Sequence, residues 1–230
     1  MTVFKMLMAL GLAATVSACG AVDIASRNAP FEDVPSSSQR SYTTQKNLAA
    51  QPSPVPAQIL DQLSVAAINV RVPETLRVSE ANRYYPSGDI VWREDPIGNR
   101  HAQVKAIFEA ALATGTASLQ GPVPVILDVE VERFHALTEK ARYTVGGVHS
   151  IRFKLQLRDA QTGAPLSEPR VVQADLDGFG GQQALQAEAR GLTQKVRISA
   201  HLAEVIRQEL TRPEGYRNAR LGFFQAINKL

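Results

Sequence analysis

The chain has 230 residues and a formal net charge of +3, with 44% hydrophobic and 20% charged residues. These values are ordinary for a globular chain, and the charge is too small for the dense basic face that nucleic-acid binding needs, so we expect no nucleic-acid partner. The single cysteine excludes an internal disulfide and a cysteine-based metal or redox site. The length allows one domain with a sizeable core plus extensions.

Residues 1–19 have the pattern of a secretory signal. Lys5 precedes an apolar stretch, residues 6–16, that is too short to span a bilayer as a helix. The next four residues, Val16-Ser17-Ala18-Cys19, resemble the bacterial lipobox, in which the peptide is cut just before a cysteine that becomes acylated. The resemblance implies a lipoprotein signal peptide, residues 1–18, and a Cys19 that carries diacylglycerol and palmitate. The alternative is an ordinary cleaved signal with a cysteine near the cut.

Residues 19–57 are expected to form a lipid-anchored flexible linker. They contain five prolines and the run Ser36-Ser37-Ser38, and large apolar residues are too few to fold alone. A coil of nearly forty residues spans roughly 35 Å. Phe31, Val34 and Tyr42 could instead dock on the domain. Lipoproteins that stay on the inner membrane commonly have aspartate directly after the acylated cysteine. Gly20 at this position therefore favours the periplasmic face of the outer membrane over the inner membrane.

The first predicted elements are a strand and a helix. Ile68, Val70 and Val72 alternate with polar residues, which indicates a strand that Pro73 ends. After a loop with turn residues, Asp95-Pro96 is a suitable helix start, and the helix is expected to end near Gly115. Its apolar stripe consists of Val104, Ile107, Phe108, Ala111 and Leu112.

Three strands with strict alternation follow, near residues 123–132, 151–158 and 172–177. Their outer residues are acidic in the first strand, basic in the second and acidic in the third. Because opposite charges facing each other across strands are favourable, the basic strand is predicted to lie between the other two in an antiparallel meander. Short connections such as Asp159-Ala-Gln-Thr-Gly163 favour the same order.

A long helix is predicted over about residues 183–210. Its expected buried stripe contains Leu185, Leu192, Val196, Ile206 and Leu210, among others. The last segment combines apolar and basic residues, including Phe223 and Phe224. It could pack back on the domain, lie on a membrane surface or bind a partner helix.

The expected fold class is α+β. It is a mainly antiparallel four-stranded sheet, in the order strand, helix, three-strand meander, helix, with two helices packed on one face and a disordered tether in front. The folded periplasmic domain is expected over residues 58–212, and a C-terminal basic-aromatic extension over residues 213–230.

No motif for catalysis or a cofactor is present. The four histidines, His101, His135, His149 and His201, lack metal-ligand spacing. The acids Asp128, Glu130 and Glu132 share one predicted exposed face beside basic residues, which favours salt bridges over acid–base catalysis. Gly178-Phe-Gly-Gly181 lacks the spacing of a phosphate loop and is better explained as a tight turn. We therefore expect no enzyme activity, no metal and no cofactor.

Some residues are better suited to interaction. Tyr84, Tyr85 and Trp92 lie close together in the chain, and aromatic residues are enriched both at interfaces and in cores. The polar sheet face, with Arg152 and Lys154, and the terminal Phe223 and Phe224 are the other predicted contact surfaces.

The layout also resembles a known family. Trp92-Arg-Glu-Asp-Pro96 before a helix, the Asp159–Gly163 connection and the long closing helix are similar to the ABC-type transport auxiliary lipoproteins and to related periplasmic lipoproteins of unknown function, over about residues 62–211. The resemblance implies a non-catalytic auxiliary subunit that docks with an envelope protein partner in a membrane-linked transport complex. A lipoprotein that binds a lipid or small apolar ligand between helices and sheet is the alternative.

The lipobox yields a direct test. Cys19→Ser should abolish incorporation of radiolabelled palmitate, because no other residue of the chain offers a thiol for acylation. Labelling is measured on immunoprecipitated protein from matched cultures. Equal label in the wild type and the variant would contradict lipidation at Cys19.

Overall fold

The computed structural model describes residues 57–218, and these form a mixed α+β domain with six strands and four α-helices. No helix in this range is both long enough and apolar enough to cross a membrane. A 3-10 turn, Ala57–Gln62, precedes the first strand. The elements are β1 Leu63–Arg71, β2 Ile90–Val91, α1 Arg100–Thr116, β3 Val123–His135, α2 Glu139–Arg142, β4 Gly147–Asp159, β5 Arg170–Gln173, β6 Leu176–Gly178, α3 Gly181–Ala189 and α4 Gln194–Thr211.

The strands form one sheet in the order β1-β3-β4-β5, with β2 also paired to β3 and β6 to β4. The predicted meander of β3, β4 and β5 is confirmed as antiparallel. The sheet has six strands instead of the expected four, and β1 runs parallel to β3. Helix α1 connects the two and returns the chain to the end where β1 starts, which is the usual way to join parallel neighbours. The register of β1 also shifts between Val65 and Ala67, leaving Ala66 without a partner on β3.

The third strand of the predicted meander is two short strands. Between β5 and β6, Ala174 N–H donates to Ile151 O at 2.8 Å, and Asp175 Oδ1 accepts the Ile151 N–H at 3.3 Å. The Asp175 carboxylate therefore takes a hydrogen bond that a regular strand would give to a backbone carbonyl. As a result, Asp175 and Asp177 do not face the basic residues of β4 as the charge pattern predicted.

The predicted long helix is also two helices. Gly191 adopts a left-handed φ of 77°, which ends α3, and the Thr193 side chain accepts the Val196 N–H and caps α4. Because the axis is broken, the apolar stripe does not continue through both helices. Ala184 and Ala187 are the buried residues of α3, whereas three residues predicted to be buried are exposed: Leu185, Leu192 and Val196.

Helix α1 starts later than predicted. The Asn99 side chain accepts the Ala102 N–H and is the N-cap, while Asp95, the predicted cap, instead accepts from Trp92 Nε1 at 2.8 Å. The predicted stripe of α1 is buried as expected: Val104, Ile107, Phe108, Ala111 and Leu112.

Helices α1 and α4 cover one face of the sheet and share one core with it. Phe108 of α1 meets Phe153 of β4 edge-to-face at 5.5 Å between ring centroids and Phe134 of β3 at 6.1 Å. Such large, closely packed rings supply much of the apolar area that stabilises a domain of this size.

Helix α1 ends at Thr116, near Gly115 as expected, and Gly115 lies at the contact with α4. A Cβ placed there would overlap the carbonyl oxygen of Ala203 and the side chain of Ile206. The glycine therefore allows the two helices to approach each other closely.

Gly115→Ala should destabilise the domain by about 1–3 kcal/mol although alanine is the better helix former, because the added methyl must push α4 away from α1. Gly98→Ala is the matched control, since its nearest neighbour lies at 3.4 Å on a side chain and its φ is not left-handed. Urea unfolding measures both variants. Equal stability of the two would contradict the close helix contact.

Candidate functional site

Three loops meet at one end of the domain, which we call the distal end. They follow the carboxyl ends of β1, β2 and β3 and comprise residues 72–89, 92–99 and 136–146, the last of which includes the short helix α2. Since β1, β2 and β3 are parallel, these loops lie at the end opposite to the 3-10 turn that precedes β1. The 13 residues of β3 separate the two ends by about 40 Å.

Ion pairs bind the distal loops to one another and to the helices. Arg100, whose side chain is 3% exposed, meets Glu80 at 2.6 Å, and Arg93 meets Glu139 at 2.6 Å. Burial would raise the pKa of Glu139, but the hydrogen bond and charge of Arg93 outweigh it and the pKa is lowered. The Glu139 carboxylate therefore stays charged, and the loops are held by ionic contacts at neutral pH.

The same network reaches the two C-terminal helices. Arg142 lies 3.3 Å from Glu94 and 3.2 Å from Glu188 of α3. Lys195 at the start of α4 meets Asp95 at 2.8 Å. The Asp95 carboxylate thus accepts hydrogen bonds from both the Lys195 ammonium and the indole N–H of Trp92. These contacts join residues from all three loops to α3 and α4.

Large apolar side chains project from this ionic framework. Ile97 is 93% exposed, Tyr85 79% and Val145 76%, and Tyr84 and Tyr143 are also exposed. Exposed apolar side chains gathered at one end of a domain are a common mark of an interaction site. Two residues of the predicted contact surface, Tyr84 and Tyr85, are therefore accessible, and Lys140 lies over the Tyr84 ring at 4.8 Å.

Trp92, in contrast, is fully buried and is not part of any surface. Its ring packs edge-to-face on Phe134 at 5.6 Å, and Asp95 satisfies its N–H. The expectation that Trp92 joins Tyr84 and Tyr85 in a contact surface is therefore wrong. Trp92 directly follows β2, the short strand that pairs with β3. This position places its side chain in the core.

The second predicted surface, the polar face of the sheet, carries a ladder of ion pairs. Arg158 meets Asp128 at 2.6 Å, and Glu132 meets Arg152 at 2.9 Å and Lys154 at 3.0 Å. The predicted pairing of the acidic strand with the basic strand is confirmed between β3 and β4. The ladder borders a groove of about 540 Å³ whose other residues include Asn69, Arg71 and Glu130.

His101, His135 and His149 each bond a different backbone group. His101 bonds the Leu76 carbonyl at 3.1 Å and His135 the Pro86 carbonyl at 3.0 Å. His149 is buried, and its Nδ1 accepts the Leu137 N–H at 3.3 Å. Within residues 57–218, no group of three or more histidine, cysteine or acidic residues is arranged to hold a metal ion. Cys19, Phe223 and Phe224 lie outside the described residues.

The family model of DUF6778, a family of unknown function, matches residues 63–226. This chain belongs to DUF6778. The sequence predicted a resemblance to the ABC-type transport auxiliary lipoproteins and to periplasmic lipoproteins of unknown function; the match gives a family of unknown function and extends beyond α4 into the C-terminal segment. No curated protein matches this DUF6778 chain.

Several solved structures are similar to the DUF6778 chain at low sequence identity. A candidate lipoprotein from Caulobacter crescentus CB15 is 15% identical, covering 67% of this chain and 91% of its own, with a TM-score of 0.34. A PelC dodecamer from Paraburkholderia phytofirmans is 13% identical, covering 73% and 97%, with a TM-score of 0.33. A DUF330 protein from Xanthomonas campestris is 11% identical, covering 65% and 81%, with a TM-score of 0.36.

The environment of His149 makes stability depend on pH. Burial, with the nearby charges of Arg197 and Arg142, lowers the pKa of His149 to about 3. The unfolded chain takes up this proton below the ordinary value of 6.5, whereas the folded chain does not. The unfolded state therefore binds more protons, and stability falls as the pH drops from 6.5 toward 3.

His149→Gln should remove this part of the pH dependence, because glutamine does not titrate. Between pH 7.5 and pH 5, the wild type should lose about 2 kcal/mol more of unfolding free energy than the variant, at about 1.4 kcal/mol per pH unit below 6.5. Urea unfolding at the two pH values gives the comparison. Equal losses of unfolding free energy in the wild type and the variant would contradict a neutral buried His149, since all other titrating groups are common to both proteins.

Proposed function

We propose that this chain is a non-catalytic, lipid-anchored protein of the cell envelope that docks a protein partner through its distal end. Acylated Cys19 holds it on the membrane, with the periplasmic face of the outer membrane favoured by Gly20. The partner belongs to an envelope complex, and the resemblance to the transport auxiliary lipoproteins favours a transport complex. The observation that carries the proposal is the set of exposed apolar side chains at the distal end, opposite to the turn that precedes β1.

The distal end has the chemistry of a protein contact. Tyrosine combines a large apolar ring with a hydroxyl and is enriched among the residues that dominate binding energy. Tyr85 and Ile97 are mostly exposed, so a partner that covers them removes a large apolar area from water. Lys140, over the Tyr84 ring, and Arg83, next to Tyr84 in the chain, form no ion pair among residues 57–218, which favours an acidic rim on the partner.

The loops are also held in place before binding. Arg93 and Arg100 each bind acids from other segments of the chain, so the loops lose little freedom when a partner binds. Ordering flexible groups is a main cost of association, and a preformed surface avoids much of it.

The sheet face is the weaker candidate. Arg152 and Lys154 are already paired with Glu132 across the strands. Covering this face would take paired charges out of water, and their mutual attraction repays that cost only with excellent geometry. A small apolar ligand between helices and sheet is also disfavoured, because Phe108, Phe134 and Phe153 pack against one another there.

The expected anchor suits this role. The described domain begins at residue 57, and β3 separates the end where β1 starts from the distal end by about 40 Å. A coil of the expected linker length spans roughly 35 Å on average. A linker of this length allows the contact surface to reach a partner away from the lipid headgroups.

Site-specific photo-crosslinking in intact cells tests the proposal. A photoreactive residue at Tyr85 or Ile97 should give one discrete adduct with an envelope protein. Val171, an exposed valine on the edge strand β5, is the matched control and should give none. The yield of this adduct should fall at least about tenfold in Cys19→Ser, because the anchor raises the local concentration of the domain.

A double variant serves as a second control. Tyr85→Asp with Ile97→Asp should abolish co-purification of the adduct partner without changing the unfolding temperature, since neither side chain is buried. Adducts of equal yield at Val171, or none at the two distal positions, would contradict the proposal.

A further inference from the structure

A small cavity lies between residues 136–146 of the distal end and the two C-terminal helices. Its volume is about 10 Å³, which is room for one atom of about the size of a water oxygen. Apolar side chains form part of its wall, among them Leu137, Phe179 and Leu192. Five polar side chains from α2, β4, α3 and α4 also line it: Arg142, His149, Glu188, Gln194 and Arg197.

His149 brings a fully buried donor to this cavity. Its Nδ1 accepts the Leu137 N–H at 3.3 Å, so Nδ1 carries no proton and the proton of the neutral ring is on Nε2. The residue is 1% exposed, and among residues 57–218 its Nε2 has no hydrogen-bond acceptor. A buried donor without an acceptor costs free energy, so this N–H needs a partner in the cavity.

Gln194 and Arg142 add two more donors. Gln194 is 4% exposed, and its Oε1 accepts the Leu137 N–H at 3.1 Å. This leaves its amide NH2 group without an acceptor in the described part of the chain. The Nε of Arg142 is also buried, and it donates to no residue of that part. The cavity therefore joins donors from three separate segments of the chain.

Arg197 contributes a cation without an acid partner. Its Nη2 donates to the Asp177 carbonyl at 2.7 Å, and its guanidinium lies over the Phe179 ring at 3.4 Å. It forms no ion pair with any residue that the structure describes. Burial lowers the pKa of His149 most, and the charges of Arg197 and Arg142 lower it further. The electrostatic potential at the His149 ring is therefore positive.

One lining side chain carries a negative charge, and Arg142 offsets it. Glu188 Oε1 lies 3.2 Å from Arg142 Nη1, and Glu188 Oε2 accepts the Tyr143 hydroxyl at 3.2 Å. Oε1 itself has no hydrogen bond within residues 57–218. The lining thus offers donors from four side chains but a single oxygen without a donor.

We propose that this cavity binds one chloride ion, held by His149 Nε2–H, the Gln194 amide and the charges of Arg142 and Arg197. A monatomic anion matches the volume and accepts several hydrogen bonds at once. A water molecule must also donate two protons, and Glu188 Oε1 is the single unpartnered acceptor in the lining. The ion connects residues 136–146 with α3 and α4. The proposal does not rest on the proposed function, because no partner protein contributes to the site.

Chloride-dependent stability of the full-length chain in detergent tests the site. Gluconate is replaced by chloride at neutral pH and constant ionic strength, and the unfolding temperature is measured. Chloride at about ten times its dissociation constant should favour the folded state about tenfold. For a domain of this size, that raises the unfolding temperature by about 3–6 °C. A wild type without any shift up to about 0.3 M chloride would overturn the proposal.

Two glutamine variants separate the site from general salt effects. Gln194→Glu keeps an oxygen for the Leu137 N–H but replaces the amide donor by a carboxylate that repels an anion, so its chloride shift should vanish. Gln186→Glu, the matched control, adds the same charge at an exposed position of α3 and should keep the wild-type shift. Effects of salt on general hydration are common to all three proteins. A wild-type shift in folded Gln194→Glu protein would also overturn the proposal.

Anomalous diffraction from wild-type crystals grown in bromide locates the ion without any variant. Bromide substitutes for chloride, and its anomalous peak should lie in the cavity beside His149 Nε2. A water oxygen at this place, with no anomalous signal, would overturn the proposal. Bromide in the crystal without a chloride shift in solution would mean binding at crystal concentration only, and this result would overturn it as well.

Discussion

Strand β3 is the element on which the rest of the domain is assembled. It bonds β1 and β2 on one edge and β4 along the other, and from Val125 to Val131 its side chains alternate between two environments. Val125, Leu127, Val129 and Val131 are buried against the helices, while Asp128 and Glu132 face the basic residues of β4. A shift of one residue would reverse both faces, so this alternation fixes the register of the sheet. It also fixes which loops meet at the distal end.

Local patterns allowed the sequence to predict the parts of the fold that depend on neighbours in the chain. The alternation of β3 and β4 and the stripe of α1 are such patterns. The parallel pairing of β1 depends instead on how α1 crosses the sheet, which no local pattern records. The break between α3 and α4 had a local signal, Gly191 followed by the cap Thr193, but the apolar spacing across it concealed the break.

The distal site was only partly predictable for the same reason. Tyr84 and Tyr85 were recognisable as aromatic loop residues, but the contacts that hold them join positions far apart in sequence. Arg93 and Glu139 are 46 positions apart, and Lys195 and Asp95 are 100 apart. Trp92 was misassigned because an aromatic residue near a loop fits a surface and a core equally well. Only the pairing of β2 with β3 decides that it is buried.

The shifted register of β1 limits how copies of this domain can pair through their sheets. An edge strand presents unpaired backbone groups that can join the sheet of a neighbouring molecule. Within residues 57–218, β1 is an edge of the sheet, and its irregularity at Ala66 comes after only three regular residues. The opposite edge, β5, has four residues. Neither edge offers a long, even template, so copies of the domain can reach a high local concentration without polymerising through their sheets.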